Sequence, residues 1–519
     1  MTKRLIFAVT LSVLVVSISS YLQRRIYRKP VLQKTVEEQT KKSTEAISSP
    51  VLMPAHSLPG ELKSGEEIKI SSKLYEVSFS PEGAIKHWRL KAYKEKDGSL
   101  VDLVPGQKPT GDYNYEVFPL KNEKGVVLRT VTEGAEIKKE FSFDEGENYQ
   151  ISIRFWIKNN SSQEKDISIF KWGPGIGGDP QENDALIVKW FKQQFGGRKT
   201  SAPRQFTITS WTKNGGVRKK AHKVKETMRQ EGDVQWTGLG EKYFAIALIP
   251  ANIGSCQATG HAQQRLVILK ESEGVSIQSI IEKVPPGAKI EGKLLVYAGP
   301  KGGEILKSAG NNLYALINYG SIGKIIFSLL KWFYYITRNY GVAIILLSGL
   351  IKIVLFPLTR VSLKSMKKMQ KIQPQIAMLR QRFKHDPQAL NRETMELYKR
   401  MKINPMGGCL PMIFQLPIFF ALFTVLRDAI ELRHSPFIFW IRDLSSKDPY
   451  YVLPILMGVT TFIQQKMTAT DQQQKPMMTY FMTIFLTVIF LNFPAGLVLY
   501  WLITNILSIG EQKLIAKIS

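Results

Sequence analysis

Cysteine is nearly absent from this sequence, whose 519 residues include only Cys256 and Cys409. We place Cys256 in a soluble exported domain and Cys409 at the edge of an apolar span, so a disulfide between them is not expected. The sequence also has no H-E-x-x-H, G-x-S-x-G or P-loop motif and no cluster of Cys and His. These absences predict that the chain holds no metal ion or other cofactor and is not an enzyme.

One glycine pattern has the spacing of a dinucleotide-binding motif but lacks its context. Gly173, Gly175 and Gly178 follow a predicted strand with G-x-G-x-x-G spacing. Pro174 interrupts this pattern, and no strand–helix–strand unit is evident around it. We therefore interpret the segment as a loop.

Long hydrophobic runs are missing from the middle of the chain. The mean hydropathy of −0.10 and the hydrophobic content of 44% are ordinary for a soluble protein. Apolar residues are nevertheless concentrated in a short N-terminal segment and in the C-terminal third. Such segregation is typical of a membrane protein that carries one large soluble domain.

Negative charge is scarce beside the apolar segments. The chain has a net charge of +28, and residues 311–519 contain 24 Lys and Arg but nine Asp and Glu. A basic chain can bind nucleic acid, but positive charges between apolar spans more often fix the topology of a membrane protein. We therefore predict the phospholipid bilayer as a partner, and no direct binding of nucleic acid.

The N-terminal segment, residues 1–29, contains an apolar run from Leu5 to Ile18 behind two basic residues. From these residues alone, a cleaved signal peptide and an uncleaved membrane anchor are both open. Residues 30–60 are polar and without periodicity, which predicts a linker.

Residues 61–310 alternate short apolar–polar segments with turns. Clear examples of the alternation are residues 74–79, 149–157 and 167–170, with Gly and Pro between such segments. This pattern predicts an all-β domain, a large antiparallel sandwich on the exported side of the membrane.

The C-terminal third predicts helices in and on a membrane. Residues 311–338 predict an amphipathic helix at the membrane surface, and residues 339–510 predict a five-span core. The five spans are predicted at residues 341–358, 409–426, 451–467, 477–491 and 495–510. Residues 511–519 then form a short tail.

A basic segment, residues 359–404, separates the first two of these spans. It contains twelve Lys and Arg against three Asp and Glu, so the positive-inside rule places it in the cytoplasm. Asp386-Pro387 supplies an N-cap and a first-turn proline, which predicts a hairpin of two helices. The loops that follow agree with both termini in the cytoplasm.

Lys352 is the most informative residue because it lies inside an apolar span. A Lys at such depth costs about 2.5–3.5 kcal/mol and normally faces protein or water. Ser348 lies four residues earlier and therefore on the same helical face. The alternative is a Lys352 that snorkels to the cytoplasmic interface.

Polar side chains recur in the other spans, while none of the five contains Asp or Glu. Any one of them is explained by hydrogen bonding between helices, but together with Lys352 they favour a polar groove around an unneutralised positive charge. The residues of this predicted groove are Lys352, Ser348, Gln415, Gln465, Asn492, Thr504 and Asn505.

The cytoplasmic hairpin, residues 359–404, carries several methionines. They are Met366, Met369, Met378, Met395 and Met401. Methionine suits adaptable contact with varied apolar chains. An ordinary seam between the two helices of the hairpin explains the same spacing equally well.

Four motifs in the C-terminal third resemble the YidC family of bacterial membrane protein insertases. The motifs are FPLT at 356–359, NPMGGCLPMIFQLP at 404–417, DPYYVLPILMG at 448–458 and FPAGLVLYW at 493–501. They occur in the order found in that family, and the resemblance covers about residues 320–510.

The resemblance implies a fold and a site. The fold is a membrane α-helical bundle, with one uncleaved N-terminal anchor plus a five-span core, and an all-β periplasmic supersandwich domain. The family's groove opens to the cytoplasm and to lipid and is closed on the outer side. Its basic residue, usually Arg, falls on Lys352, its neighbouring groove position falls on Ser348, and its aromatic substrate contacts fall on Tyr500 and Trp501.

We therefore predict a non-enzymatic membrane protein insertase and chaperone of the cell inner membrane. It receives nascent membrane proteins in the groove and releases them into the bilayer, with the Sec translocon and the ribosome as further candidate partners. The alternative is a secondary transporter or channel, which would usually show an inverted repeat or a buried carboxylate. A third interpretation is a membrane-tethered periplasmic glycan binder or enzyme.

Overall fold

The computed structural model describes residues 67–518 apart from 96, 105–114, 121–123, 133, 144–147, 178–205, 214, 231–232, 254–262, 272–273, 402, 404–409 and 469–475. The predicted anchor at 1–29 and the predicted linker at 30–60 lie outside the described residues, as do both cysteines.

The first part of the described chain consists of β-strands. They are β1 (Ile68–Ser71), β2 (Tyr75–Phe79), β3 (Ile85–Lys94), β4 (Leu100–Asp102), β5 (Glu116–Pro119), β6 (Gly125–Thr132), β7 (Ala135–Ser142), β8 (Gln150–Asn159), β9 (Lys165–Trp172), β10 (Thr207–Thr212), β11 (Gly215–Lys220), β12 (Met228–Arg229), β13 (Val234–Gly240), β14 (Phe244–Ile253), β15 (Gln263–Glu271), β16 (Gly274–Val284) and β17 (Lys289–Pro300). The three segments that the sequence analysis singled out correspond to β2, β8 and β9, which confirms them as strands.

These strands form three antiparallel sheets. The largest has nine strands in the order β11-β10-β13-β14-β17-β8-β7-β6-β5, and the two smaller sheets are β1-β2-β3-β4 and β12-β15-β16-β9. Every pairing among the described strands is antiparallel. Along β8 every second residue is buried, which is the pattern of a strand with one face on a core.

Aromatic side chains hold the three sheets together. Trp88 of β3 and Trp172 of β9 are fully buried and meet edge to face, with ring centroids 5.8 Å apart. Phe79 of β2 meets Phe141 of β7 in the same way at 5.4 Å. Such pairs add about 0.5–1.5 kcal/mol each to the burial of their rings. The core of this domain therefore lies where the two small sheets face the large one.

The described residues of the glycine pattern, 173–177, lie in neither a helix nor a strand, as the loop interpretation predicts. The N–H of Gly175 donates to the carbonyl of Val275 at 3.0 Å, and the N–H of Gly177 donates to the carbonyl of Leu103 at 2.8 Å. These bonds tie the loop to neighbouring strands. Gly178 lies outside the described residues.

Helices follow the sheets. They are α1 (Gly303–Ser308), α2 (Gly320–Thr337), α3 (Tyr340–Lys371), α4 (Gln373–Arg382), α5 (Pro387–Arg400), α6 (Leu410–Asp428), α7 (Val452–Thr468), α8 (Pro476–Phe490) and α9 (Ala495–Ile518). Helix α9 packs against α7 and α3, and α2 packs against α3 and α6. Helices α3 and α9 therefore lie side by side, and this contact positions the candidate site.

The predicted boundary between the first core span and the hairpin falls inside a helix. Helix α3 runs without interruption from Tyr340 to Lys371, through Pro357 and past residue 358, where the span was expected to end. The break comes instead at Ile372, just before α4. Pro374 has no N–H to continue the hydrogen-bond ladder of the preceding helix, which explains a new start there. The expected cap on α5 is confirmed, because Asp386 accepts from two backbone N–H groups at its start.

The predicted end of the last span also falls inside a helix. The span was expected to stop at Gly510, but α9 continues to Ile518. A single glycine inside a helix costs only about 1 kcal/mol relative to alanine, so Gly510 does not end it. Residues 511–518 therefore belong to the helix that lies beside α3.

Helix α3 is the one helix in the described part of the chain that is both long and apolar enough to cross a membrane. Its most apolar 18 residues have a mean hydropathy of 2.4. One such helix is weak support for a membrane location by itself. The other predicted spans correspond to α6, α7, α8 and α9, and the number of spans stays a prediction.

Candidate functional site

Lys352 points from α3 onto α9. Its Nζ lies 2.5 Å from Ser508 Oγ and 3.1 Å from Glu511 Oε2. The side chains of Lys352 and Glu511 are only 14% and 13% exposed. The ammonium is thus enclosed between two helices, and its depth relative to the membrane interface stays a prediction.

The expectation of a positive charge without an acidic partner is wrong, because Glu511 pairs with Lys352. This partner was not expected, because the last span was predicted to end at Gly510 and Glu511 to lie in a tail. Helix α9 continues for about two more turns. The spacing of Thr504, Ser508 and Glu511, four and then three residues apart, places all three on one helical face and could have identified the pair.

Ser508 orients the ammonium of Lys352. The Ser508 hydroxyl donates to the carbonyl of Thr504 at 2.8 Å, so its oxygen is left to accept from Lys352. The ammonium therefore has two acceptors on α9, one neutral and one charged. We call this arrangement of Lys352, Ser508 and Glu511 the α3–α9 ion pair.

Two buried hydroxyls lie on the same helix as the α3–α9 ion pair. The side chains of Tyr500 and Thr504 are 1% and 6% exposed. The Tyr500 hydroxyl lies near Thr504 and the half-buried Gln415 of α6. The three side chains therefore form a small polar cluster between α6 and α9.

Ser348 is on the predicted face of α3 but is fully buried. Its hydroxyl donates to the carbonyl of Ile344 at 2.7 Å, one turn earlier in the same helix. A substrate can therefore reach Ser348 only after the neighbouring helices move apart.

Asn505 and Gln465 lie in seams between helices. The amide of Asn505 donates to Thr461 Oγ1 of α7 at 2.8 Å. Gln465 accepts from Thr483 of α8 at 3.1 Å. These bonds correspond to the interhelical hydrogen bonding that the sequence left open. Asn492 is half-buried in the turn between α8 and α9.

Trp501 joins three helices by aromatic contacts. Its ring meets Phe419 of α6 edge to face at 5.2 Å and Phe490 of α8 in a tilted arrangement at 5.2 Å. Trp501 is half-buried, whereas the neighbouring Tyr500 is buried. Of the two aromatic residues assigned to substrate contact, Trp501 is the more accessible.

The methionines of the hairpin divide into two groups. A small core of Ile372, Ile376 and Ile403 forms the seam of the hairpin, and Met369 packs against it. Met378, Met395 and Met401 are exposed, and Met366 is half-buried. The seam therefore accounts for Met369, and contact of the exposed methionines with apolar chains stays a prediction.

A folded loop, residues 429–451, covers the other end of α9. The N–H of Ala495 donates to the carbonyl of Ser446 at 2.7 Å. The buried Asp448 accepts from the N–H of Leu453 at 2.7 Å and fixes the end of the loop. Glu511 lies sixteen residues further along α9, about 24 Å at helical rise. The bundle is thus closed by hydrogen bonds at the end remote from the α3–α9 ion pair.

Comparison with known proteins identifies relatives of the whole chain. Residues 332–519 match the family described as 60Kd inner membrane protein, and residues 107–333 match the family described as YidC periplasmic domain. A protein of Geotalea uraniireducens named membrane protein insertase YidC is 37% identical over 548 residues, covering 100% of this chain and 99% of that protein. The protein of the same name from Geotalea daltonii is 35% identical over 557 residues with the same coverage.

The chain also aligns with a solved structure of an active YidC insertase. The alignment covers 86% of this chain and 92% of the solved chain at 18% identity, with a TM-score of 0.38. The assignment to a family therefore rests on the sequence relatives. Because the two family matches adjoin and the relatives match the chain along its full length at 35–37% identity, this chain belongs to the YidC family of membrane protein insertases.

Proposed function

We propose that this chain inserts and helps fold membrane proteins without hydrolysing any cofactor. A nascent apolar segment reaches the exposed methionines of the hairpin and then the groove between α3, α6 and α9. Its polar flank is attracted by Lys352, while the apolar segment moves into lipid along α6 and α8. The free energy comes from burial of the substrate's own apolar surface in the bilayer, about 25 cal/mol per Å².

The observation that carries the proposal is the cluster of polar groups inside an otherwise apolar bundle. Lys352 is enclosed between α3 and α9, and the buried hydroxyls of Tyr500 and Thr504 lie together beside Gln415 of α6. A membrane protein keeps such groups at considerable cost, which is typical of a site for a polar ligand. The polar end of a translocating chain is such a ligand.

The outer surface of the bundle suits a lipid environment. Ile353 and Val354, next to Lys352 on α3, are 73% and 67% exposed. Phe420 of α6 and Phe481 of α8 are also exposed. Exposed apolar side chains in such number favour contact with acyl chains over contact with water. They support a path from the groove into lipid along α6 and α8.

The wider arrangement is part of the same proposal. It comprises an N-terminal anchor, a five-span core with both termini in the cytoplasm, an interfacial helix at α2 and the β domain as a periplasmic supersandwich. Nascent membrane proteins are the substrates, and the Sec translocon and the ribosome are the proposed further partners. Lys352 and Ser348 are the proposed groove contacts on α3, with Gln415 on α6 and Tyr500 and Trp501 on α9.

Insertion into vesicles that contain only this protein tests the proposal. We expect Lys352→Ala to slow insertion of a short single-span substrate with an acidic tail, and Lys352→Glu to slow it further because two carboxylates then face each other. The matched control is Lys364→Glu, an exposed position on the same helix. Insertion at the wild-type rate by Lys352→Glu would contradict the electrostatic role of Lys352.

A secondary transporter is the second candidate, and one observation now favours it. Glu511 is a largely buried carboxylate in the bundle, a feature common in ion-coupled transporters. A flux assay in the same vesicles separates the two functions, because an insertase gives no substrate-coupled ion flux. Deletion of residues 61–300 separates both from a function in the β domain, because insertion is expected to survive it.

A further inference from the structure

We propose that Glu511 is a built-in counterion, which holds Lys352 while the groove is empty and which an acidic side chain of the incoming segment must displace. This inference rests on the proposed function and makes Glu511 a competitor that limits how strongly Lys352 favours acidic substrates. It makes Glu511 a positioning and specificity residue.

The geometry of the α3–α9 ion pair resembles the contact that a substrate carboxylate would make. Glu511 Oε2 lies 3.1 Å from Lys352 Nζ, within the range of an ion pair with a hydrogen bond. Ser508 supplies the second acceptor. Within the described residues, Glu511 is the one carboxylate that pairs with Lys352. An arriving Asp or Glu therefore finds its position occupied.

The other acidic residues of the C-terminal core have different roles where the structure describes them. Asp428 pairs with Arg427, Glu431 accepts from the backbone of Gly303, and Asp443 and Asp448 fix the loop between α6 and α7. On the hairpin, Glu396 pairs with Arg392. Asp386 caps α5 on the exposed hairpin. Because these acidic residues bind other groups, Glu511 is the described carboxylate that can compete with a substrate for Lys352.

Because the α3–α9 ion pair is enclosed, either charge costs free energy when it loses the other. A charge that loses its partner in a low-dielectric site carries an uncompensated desolvation cost. Glu511 removes that cost for Lys352 in the empty groove. A substrate without a carboxylate gains nothing from Lys352, because the ion pair of Lys352 with Glu511 stays in place. The carboxylate of an acidic substrate takes the place of the Glu511 carboxylate beside Lys352 and forms a new ion pair.

The displaced carboxylate has a route to water. Glu511 lies about two turns before the end of α9, and the next residues include the exposed Lys513 and Leu514. A change of rotamer moves the Glu511 carboxylate toward this exposed end without unfolding the helix. Exchange therefore requires side-chain motion alone on the α9 side.

Two substrates that differ in one charge provide the test. Full-length protein in phospholipid vesicles is given a single-span protein with one Asp in its short translocated tail, or the same protein with Asn there. The measured quantity is the ratio of the two insertion rates. We expect Glu511→Gln to raise this Asp-to-Asn ratio about three- to tenfold, because the competing carboxylate is gone while the side-chain shape is kept.

The matched control is Lys513→Gln, which removes a charge two residues away from an exposed position of the same helix. It should leave the ratio unchanged. Glu511→Asp, which keeps the charge on a shorter side chain, should raise the ratio by a smaller factor than Glu511→Gln. Resistance to protease in the same vesicles shows whether each variant is folded.

The outcomes separate this inference from the proposed function. If the wild-type chain inserts neither substrate, the proposed function fails. If it inserts both, and Glu511→Gln changes both rates by one common factor or lowers the ratio, the counterion role is overturned and the pair is structural. Failure of both Glu511→Gln and Glu511→Asp to fold would likewise overturn it.

Discussion

Arg433, in the loop after α6, lies 3.6 Å from the carboxylate of Glu95 at the end of β3, with 4% of its side chain exposed. Its guanidinium also lies over the rings of Tyr243 and Phe244, 5.8 and 5.6 Å from their centroids. One residue of the helical part is therefore enclosed by three residues of the β domain. This contact fixes the loop that covers the closed end of the bundle.

Arg433→Ala is expected to loosen the β domain from the helical part. The change removes an ion pair and two cation–π contacts, and it leaves Glu95 enclosed without its cation, at a cost of about 2–4 kcal/mol. Hydrogen exchange of the full-length protein in detergent should become faster in β14 and in residues 429–433. The control is Arg442→Ala, an exposed position of the same loop. Equal hydrogen-exchange rates in the Arg433→Ala and Arg442→Ala variants would mean that the Arg433 contact contributes little to holding the β domain against the helices.

The sequence predicted the features that depend on local patterns. Alternation along β8 identified a half-buried strand, and Asp386-Pro387 identified the start of α5, because strand period and helix caps are properties of neighbouring residues. A charge inside an apolar span identified Lys352 as a residue that faces protein.

The sequence did not predict the partners of the polar residues. Asn505 lies on an apolar helix, and the sequence alone does not distinguish a groove from a seam; the contact with Thr461 does. Glu511 was missed because it lies beyond the predicted end of the last apolar span, although α9 stays helical there and Lys367 of α3 donates to the carbonyl of Ile515. A tertiary contact decided the case of Asn505, whereas helical spacing already places Glu511 on the face of Ser508.

Replacing both charged residues of the α3–α9 ion pair should restore the stability of the protein but not its rate of insertion. Lys352→Met leaves Glu511 without its cation, and Glu511→Gln leaves Lys352 without its anion, so each is expected to destabilise the protein by about 1–3 kcal/mol. The double variant Lys352→Met/Glu511→Gln should recover most of that loss, because no unpaired charge remains.

Thermal unfolding in detergent measures the first part of this prediction, and insertion of an acidic-tailed substrate measures the second. The double variant should insert that substrate slowly despite its stability, because it has no cation. Fast insertion by a stable double variant would show that Lys352 acts only through the fold. Additive destabilisation would show that the two charges do not interact.

Lys301, directly after β17, should make stability depend on pH. Burial lowers the pKa of Lys301 to about 8, and its ammonium donates to the carbonyl of Glu241. An unfolded Lys has a pKa of about 10.4. Between these two values the unfolded chain binds more protons than the folded one, so stability rises with pH.

Because Lys301 keeps some solvent exposure, we expect a rise of only about 1–2 kcal/mol between pH 7.5 and 10 relative to Lys301→Met. Urea unfolding of the full-length protein, followed by tryptophan fluorescence, gives the difference at each pH. Lys289→Met, an exposed position at the other end of β17, is the control and should follow the wild type. A constant difference between wild type and Lys301→Met over this range would contradict the lowered pKa.

The exposed methionines of the hairpin should bind the substrate, while the half-buried Met369 should hold the hairpin together. Met378, Met395 and Met401 are exposed, so changing all three to Gln removes apolar contact surface at little cost in stability. We expect photocrosslinks between the hairpin and a stalled nascent chain to fall about three- to tenfold. The same three positions changed to Leu should keep most of the crosslinks.

Met369→Gln should instead destabilise the hairpin, because it places a polar amide against Ile372 and Ile376 in the seam. That burial costs about 1–3 kcal/mol and should raise protease cleavage within the hairpin. If the triple Gln variant keeps its crosslinks, the exposed methionines are not the receiving surface. The methionine pattern would then reflect the seam alone, and the first contact of the substrate would move to the apolar outer faces of α6 and α8.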